Sequence, residues 1–214
     1  MILHSYFRSS AAFRVRIALN IKGVEYAIHP VHLLNNGGEQ HSTTFQQLNP
    51  HELVPVLEHA EHRINQSLAI IDYLEMLIPS PSLLPSDLFS NIAARAFALS
   101  ICCDIHPINN LRVLQKLKKN HGFSENDTEQ WIQHWVIKGF SALEKQLTEH
   151  RFCFSGSPSI ADICLIPQVY NAIRFNVDIA QYTKIQSVYE TCMQREEFIV
   201  ASPENQPDFP GNKQ

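Results

Sequence analysis

The apolar positions in the first 78 residues alternate between strand-like runs and helix-like spacing, and beyond residue 88 they keep the helical period alone. Ile2 to Phe7 is a short apolar run with two aromatics, the pattern of a buried strand. Phe13, Ile17, Ala18 and Ile21 then share one helical face, and Lys22-Gly23 supplies the stop. Val24 to Leu33 reads as a second strand, which predicts a βαβ unit with a parallel strand pair. Asn35-Asn36-Gly37-Gly38 is a turn, and Phe45 to Asn49 a short helix halted before Pro50. Val54-Pro55-Val56-Leu57 reads as a strand whose proline, lacking an N–H, must stand at an edge or turn. Arg63 to Asn65 is its expected partner, and Leu68 to Leu74 returns to helical spacing behind Gln66-Ser67.

Ile78-Pro79-Ser80-Pro81-Ser82-Leu83-Leu84-Pro85-Ser86-Asp87 interrupts this alternation, and its three prolines cannot continue a helix. Helical patterns follow: Leu88 to Lys119, broken near Pro107; Thr128 to Glu149; Ile160 to Phe175; and Thr183 to Phe198. In the second of these, Trp131, Trp135, Val136, Phe140, Leu143 and Leu147 form one face. Ser159 with Asp162 three positions on is an Asp variant of the capping box, so loss of Asp162 should harm folding. Pro203 to Gln214 holds three prolines and is expected to be an extended tail. The pattern thus predicts an α/β domain over 1–78, a linker over 79–87 and an all-α domain with its tail over 88–214.

Composition narrows what such a chain can be. The hydrophobic fraction of 44% and charged fraction of 18% are those of an ordinary globular protein. A net charge of −4 argues against a general nucleic-acid binder. No apolar run approaches the roughly 18 residues of a membrane span, and no signal peptide is recognisable, so no membrane partner is expected. Five cysteines, two of them adjacent at Cys102-Cys103, do not make a disulfide framework and fit a reduced, cytoplasmic setting. Eleven histidines are scattered, and His59-Ala60-Glu61-His62 has no ligand spacing within a helix, so no metal site is expected.

The candidate chemistry gathers where strands hand over to helices. Ser9 or Ser10 is a good N-cap for the helix that follows the first strand, with Arg8 beside it. The unpaired amides and positive dipole end of such a helix hold anions, and a thiolate placed there ionises more readily. Gln66-Ser67 makes a second corner of the same kind. Read alone, either serine pair is as well explained as a cap. Arg14 and Arg16 read as structural or surface charges, Arg112 as a solvated helix charge, and His106 as a residue marking the break before Pro107.

Taken together and in order, several stretches resemble the glutathione transferase superfamily, in its zeta class, the maleylacetoacetate isomerases. They are Tyr6-Phe7-Arg8-Ser9-Ser10 with Arg14-Val15-Arg16-Ile17-Ala18-Leu19, Leu48-Asn49-Pro50, Val54-Pro55, Gln66-Ser67-Leu68-Ala69-Ile70-Ile71, Leu83-Leu84-Pro85, Ala161-Asp162 and Pro167-Gln168-Val169. The likeness spans nearly the whole chain. It implies a thioredoxin-like N-terminal domain that binds glutathione, an all-α C-terminal domain that shapes a substrate pocket, a cis peptide before Pro55, and a homodimer. Carried over by position, the resemblance makes Ser9 the hydroxyl that meets the glutathione sulfur and Ser10 the second serine of the motif. It makes Val54 the backbone partner of the cysteinyl part, and Gln66 and Ser67 the grip on the γ-glutamyl end. Gln40, His106 and Asn110 match further glutathione-contacting positions. Where the family's animal members carry a cysteine after the two serines, this chain has Ala11.

The reaction implied is cis–trans isomerisation of a double bond conjugated to a ketone, with maleylacetoacetate of tyrosine and phenylalanine breakdown as the expected substrate. Glutathione thiolate adds, the single bond so formed rotates, and thiolate leaves, so the nucleophile comes with the cofactor and Ala11 removes nothing the reaction needs. The substrate is a dicarboxylate, which calls for arginine forks. Arg8, Arg112 and Arg174 stand where related maleylpyruvate isomerases hold their substrate. The alternatives are maleylpyruvate isomerase of gentisate breakdown, a general zeta-class transferase or haloacid dehalogenase, and a non-catalytic dimerisation module. The serine corners and three arginines speak against the last.

Overall fold

The computed structural model describes residues 1–148 and 150–212. Its contacts divide the chain into two units, Met1–Ser82 together with the chain from Gln194, and Leu83–Met193.

The first unit is built on a mixed four-stranded sheet of order β2-β1-β3-β4, with β1 at Ile2–Ser5, β2 at Ala27–Pro30, β3 at Val56–His59 and β4 at His62–Asn65. β1 and β2 run parallel with Leu3 opposite Ile28, as the βαβ pattern predicts; β3 lies antiparallel on the other side of β1, with Leu57 opposite Leu3. β2 is far shorter than the expected Val24 to Leu33. It is an edge strand with only Ile28 half-buried. Three helices belong to this sheet, α1 at Ser10–Ile21, α2 at Thr43–Leu48 and α3 at Ser67–Leu77. The peptide before Pro55 is cis, as the family resemblance implies, and so is that before Pro81.

α1 is buried along most of its length, and its two central arginines are buried with it. Arg16 is fully buried and donates to Ser5 Oγ at 3.0 Å, Phe7 O at 3.0 Å and Ala201 O at 2.8 Å. Such multiple bonding is what a guanidinium needs to leave water. Lys22, the residue after α1, is likewise buried and donates through Nζ to Glu75, Ile78 O and Pro81 O, each at 2.6 Å. The proline-rich stretch is therefore anchored over 78–82 rather than loose.

The expected assignment of everything beyond 88 to the helical domain is corrected at its end. α9, at Glu196–Ile199, and the turns that follow it group with the sheet. Asn20 donates to Glu197 O at 2.9 Å, and Gln206 is buried with its amide on Val200 O and Ser202 O. The stretch expected to be an extended tail instead forms single helical turns at Pro203–Asn205 and Pro210–Asn212, with Phe209 against Phe7 at 5.6 Å between ring centres. Its final residues, Lys213 and Gln214, lie outside the described residues.

The second unit is helical throughout: α4 at Leu88–Leu99, α5 at Leu111–His121, α6 at Glu125–Gln146, α7 at Ile160–Arg174 and α8 at Thr183–Cys192. The break expected near Pro107 is a wide π-helical segment at Ser100–Ile105 followed by a tight turn at Pro107–Asn109. The stretch Leu88–His121 as a whole is long and apolar enough to cross a membrane, with a mean hydropathy of 1.4 in its most apolar window, contrary to the expectation that no run approaches that length. It is interrupted at the Pro107 turn, and Ala94, Phe97, Ala98, Ile101 and Ile105 are buried as core. α6 ends at Gln146, short of Glu149, which lies outside the described residues.

α7 carries ten consecutive buried residues, Ile160 to Val169, and is the central helix of this unit. Asp162, fully buried in its first turn, accepts from Ser159 N at 2.8 Å, Ser159 Oγ at 2.9 Å and Cys153 N at 2.8 Å. Burial nonetheless raises the Asp162 carboxyl above its ordinary range, and burial beside Asp162 pushes the Cys153 thiol well up, which makes that thiol unreactive.

Candidate active site

The corner that closes β1 is held from every side. Ser5 O accepts Val31 N at 2.8 Å, Tyr6 O accepts Ser9 N at 2.9 Å, and Arg16 takes Phe7 O. With the turn so fixed, Ser9 adopts the extended backbone of an N-cap and its Oγ accepts Ala12 N at 3.2 Å. The sequence left Ser9 and Ser10 open as the cap; the cap is Ser9, and Ser10 is the first residue of α1. No acidic residue occupies the first turn of α1, so the positive end of the helix is uncompensated there. Ala11 sits half-buried in that turn.

Arg8 leaves the corner half-buried. Its Nη2 donates to Tyr6 Oη at 2.9 Å, and its guanidinium lies 5.1 Å from the centre of the Phe7 ring and 5.7 Å from that of Tyr6. The two rings hold the fork near the serines and leave donors for a carboxylate.

Val54 is buried in a cluster with Tyr6, Phe7, Val31, Phe45 and Val56, so the cis peptide after it stands directly behind the corner. At the start of α3, Gln66 has φ +68°, a left-handed conformation that a non-glycine residue adopts only under constraint. Ser67 follows, buried, and accepts from Arg14 Nη1 at 3.3 Å. Gln40 is buried on a single turn at Glu39–His41. Its Oε1 is buried with no hydrogen-bond partner among the described residues. Gly38 beside it has φ +108°, a backbone conformation that a side chain would strain, and a Cβ there would lie 2.5 Å from the Gln40 amide. His41, which pairs with Glu52 through Nδ1, meets the same amide at 3.0 Å through Nε2.

In the helical unit, His106 is half-buried directly after the π segment. Asn110 caps α5 with its Oδ1 on Arg112 N at 3.2 Å, so the resemblance and the cap claim the same side chain. Arg112 is exposed on α5, and Arg174 is exposed at the end of α7 with its guanidinium 4.4 Å from the centre of the Phe175 ring. Trp131 and Trp135 pack edge to face at 5.8 Å, as the i, i+4 spacing predicts, and Trp131 Nε1 donates to Ile108 O at 3.0 Å. Among the described residues no group of three or more His, Cys, Asp or Glu could hold a metal ion.

Two groups at the corner escaped the sequence reading, Arg16 and Asp208. The Asp208 carboxylate accepts Phe7 N at 2.9 Å across 201 residues of chain. Nothing local in the sequence signals that contact.

The chain matches the model of the glutathione S-transferase N-terminal domain over residues 8–77 and that of the C-terminal domain over residues 129–190. A probable maleylacetoacetate isomerase of Vibrio cholerae is 48% identical over 97% of this chain and 98% of its own. The holo structure of a maleyl pyruvate isomerase, a bacterial glutathione S-transferase of the zeta class, superposes with a TM-score of 0.94 at 41% identity, covering 97% of this chain and 99% of that one. The chain is a zeta-class glutathione transferase. A maleylacetoacetate isomerase from Methylobacterium extorquens AM1, solved with bound malonate and glutathione, aligns with this transferase at 34% identity and a TM-score of 0.93, covering 98% of this chain and all of that one. The order of the transferase's strands and the all-α second unit agree with the fold expected from the resemblance.

Proposed function

We propose that the protein is a glutathione-dependent cis–trans isomerase that converts maleylacetoacetate to fumarylacetoacetate in tyrosine and phenylalanine breakdown. The observation that carries this reading is the serine-capped corner on a chain alike over nearly its whole length to a protein bearing that activity in its name. The residues present suit glutathione: a hydroxyl at a helix start for the sulfur, a cis-proline strand entrance at Val54, a polar pair at the start of α3, and a buried orphan acceptor on Gln40. Bound there, glutathione supplies the nucleophilic thiolate that makes the conjugated double bond rotatable.

The chain's own residues do the rest. Ser9 and the first amides of α1 favour the ionised sulfur, lowering a thiol pKa of about 8.5 toward neutrality. Ser10 stands beside it as the second hydroxyl. Gln66 and Ser67 hold the γ-glutamyl end, Val54 offers backbone to the cysteinyl part, and Gln40, His106 and Asn110 contact the remainder. Arg8, Arg112 and Arg174 bind the carboxylates of the substrate. In this scheme residues 1–78 bind glutathione and the helical part from 88 onward shapes the substrate pocket.

The exposed face of α4 presents Leu88, Phe89, Ile92 and Leu99, and Phe89 is 81% exposed. So large an apolar face on one helix supports a homodimer; a monomer mass in sedimentation would refute it. Cysteines that form no disulfide among the described residues suit a cytoplasmic enzyme that works with reduced glutathione.

Likeness to a maleyl pyruvate isomerase at a TM-score of 0.94 supports a second reading, with maleylpyruvate as substrate. A side-by-side measurement of kcat/KM for the two maleyl ketones, with glutathione present, decides between them. Inactivity on both would overturn the isomerase assignment.

A further inference from the structure

We propose that Asp208 is a positioning residue for the thiolate corner, and that the chain from Gln194 onward serves as a latch that holds β1's end in its working conformation. The corner lies on the first residues of the chain, yet two of its backbone groups depend on residues far along it or deep in α1. Asp208 Oδ2 accepts Phe7 N at 2.9 Å, one peptide before Arg8 and two before Ser9. Phe209, the next residue, meets Phe7 edge to face at 5.6 Å and packs on the cluster that contains Tyr6 and Val54. Arg16 completes the clamp, holding Phe7 O on one side and Ala201 O of the latch on the other. The amide and the carbonyl of a single residue, Phe7, are thus both fixed by groups tied to the returning segment.

The cost of this arrangement argues for a purpose beyond cohesion. Asp208 Oδ1 is buried with no hydrogen-bond partner among the described residues, so half of the carboxylate is desolvated without return. An oxygen acceptor seated on the Phe7 N–H restrains that peptide against reorganisation. Stiffness matters here, because Ser9 can favour an anion on sulfur only if its hydroxyl does not have to reorganise when the charge appears. The Phe7 bond fixes the peptide plane from which the Ser9 turn springs, through Ser9 N on Tyr6 O. Asp208 therefore acts through backbone, without touching the cofactor, and its effect rests on the reading of this corner as the seat of the glutathione sulfur.

The test uses the full-length chain with Asp208→Ala and Asp208→Asn, the latter keeping a neutral oxygen for the amide. Hydrogen exchange at the Phe7 amide, measured without glutathione, reports the latch itself; we expect exchange at least tenfold faster in Asp208→Ala and near the parent rate in Asp208→Asn. Thiolate absorbance of bound glutathione against pH reports the consequence. We expect the titration in Asp208→Ala to move up by about half a unit or more, and kcat/KM at neutral pH to fall about tenfold. Asp208→Asn should recover most of both. Unchanged Phe7 exchange in Asp208→Ala would overturn the latch whatever the enzyme's substrate. Faster exchange with an unmoved thiolate titration would overturn the positioning role and leave the isomerase reading untouched. Equal damage in the alanine and asparagine variants would also overturn it, since the acceptor would then not be what matters.

Discussion

Arg14 on α1 donates to Ser67 Oγ at the start of α3, so one buried guanidinium ties α1 to the serine corner that opens α3. Sequence spacing alone made Arg14 a charge pointing away from the site. Its donor instead orients the hydroxyl expected to meet the γ-glutamyl end. Arg14→Met keeps the apolar stem and deletes the fork. Glutathione affinity should fall about tenfold by calorimetry, as expected for one lost hydrogen bond to a charged donor. Unaltered affinity would show that Ser67 needs no such support.

The cap that Ser9 makes and the contact to sulfur proposed for it can be separated. As N-cap, its loss in Ser9→Ala should lower stability by about 1 kcal/mol. As donor to sulfur, its loss should lower kcat by about a hundredfold. Thermal melts and steady-state rates on the same variant distinguish the roles. A rate that drops only as far as the folded fraction drops would reduce Ser9 to a cap.

Arg174 is exposed at the end of α7, with its guanidinium over the Phe175 ring. Arg174→Ala should raise KM for a maleyl ketone about tenfold while kcat changes little, the pattern of lost binding common to ground and transition states. A fall in kcat at constant KM would put Arg174 on the reacting atoms instead.

How far these roles could be read from the sequence depends on how local their causes are. The Ser9 cap, the stop at Lys22, the strand at Val56, the break at Pro107 and the Ser159–Asp162 box each follow from residues within a turn or two of one another, and all appear where the pattern puts them. β2 was overestimated because the half-buried alternation of Val24, Tyr26 and Ile28 marks a face but not where ladder pairing begins and ends, and β2 itself spans only Ala27–Pro30. The returning segment was unreadable. Proline-rich and polar, Pro203 to Pro210 looks like a tail, and what holds it is a set of bonds to Arg16 and Phe7 across most of the chain. Arg16 reads as a structural or surface charge, and those partners make it structural.

Glu58 on β3 offers a pH test. A hydrogen bond from His4 Nε2 at 2.6 Å, helped by Arg63, holds its carboxyl below the ordinary glutamate range. A carboxyl whose folded value is depressed adds stability above its unfolded value, about 4.3, and that stability is lost as pH falls through the folded value. Glu58→Gln should therefore unfold at lower urea than the parent at pH 6, and the two midpoints should converge on acidification below about pH 4. A gap that persists undiminished at pH 3 would assign the difference to packing rather than charge.

The return of residues 194–209 to the first sheet also sets an order of events during synthesis. β1 and the serine turn are among the earliest parts made, yet Phe7 cannot be held until α4 to α8 have been translated and Asp208 has emerged. A chain halted after the first 82 residues would contain every strand of its sheet and Arg16, yet lack the Asp208 acceptor for the Phe7 amide. The bond to the Phe7 amide is thus a contact that only a chain translated as far as Asp208 can make.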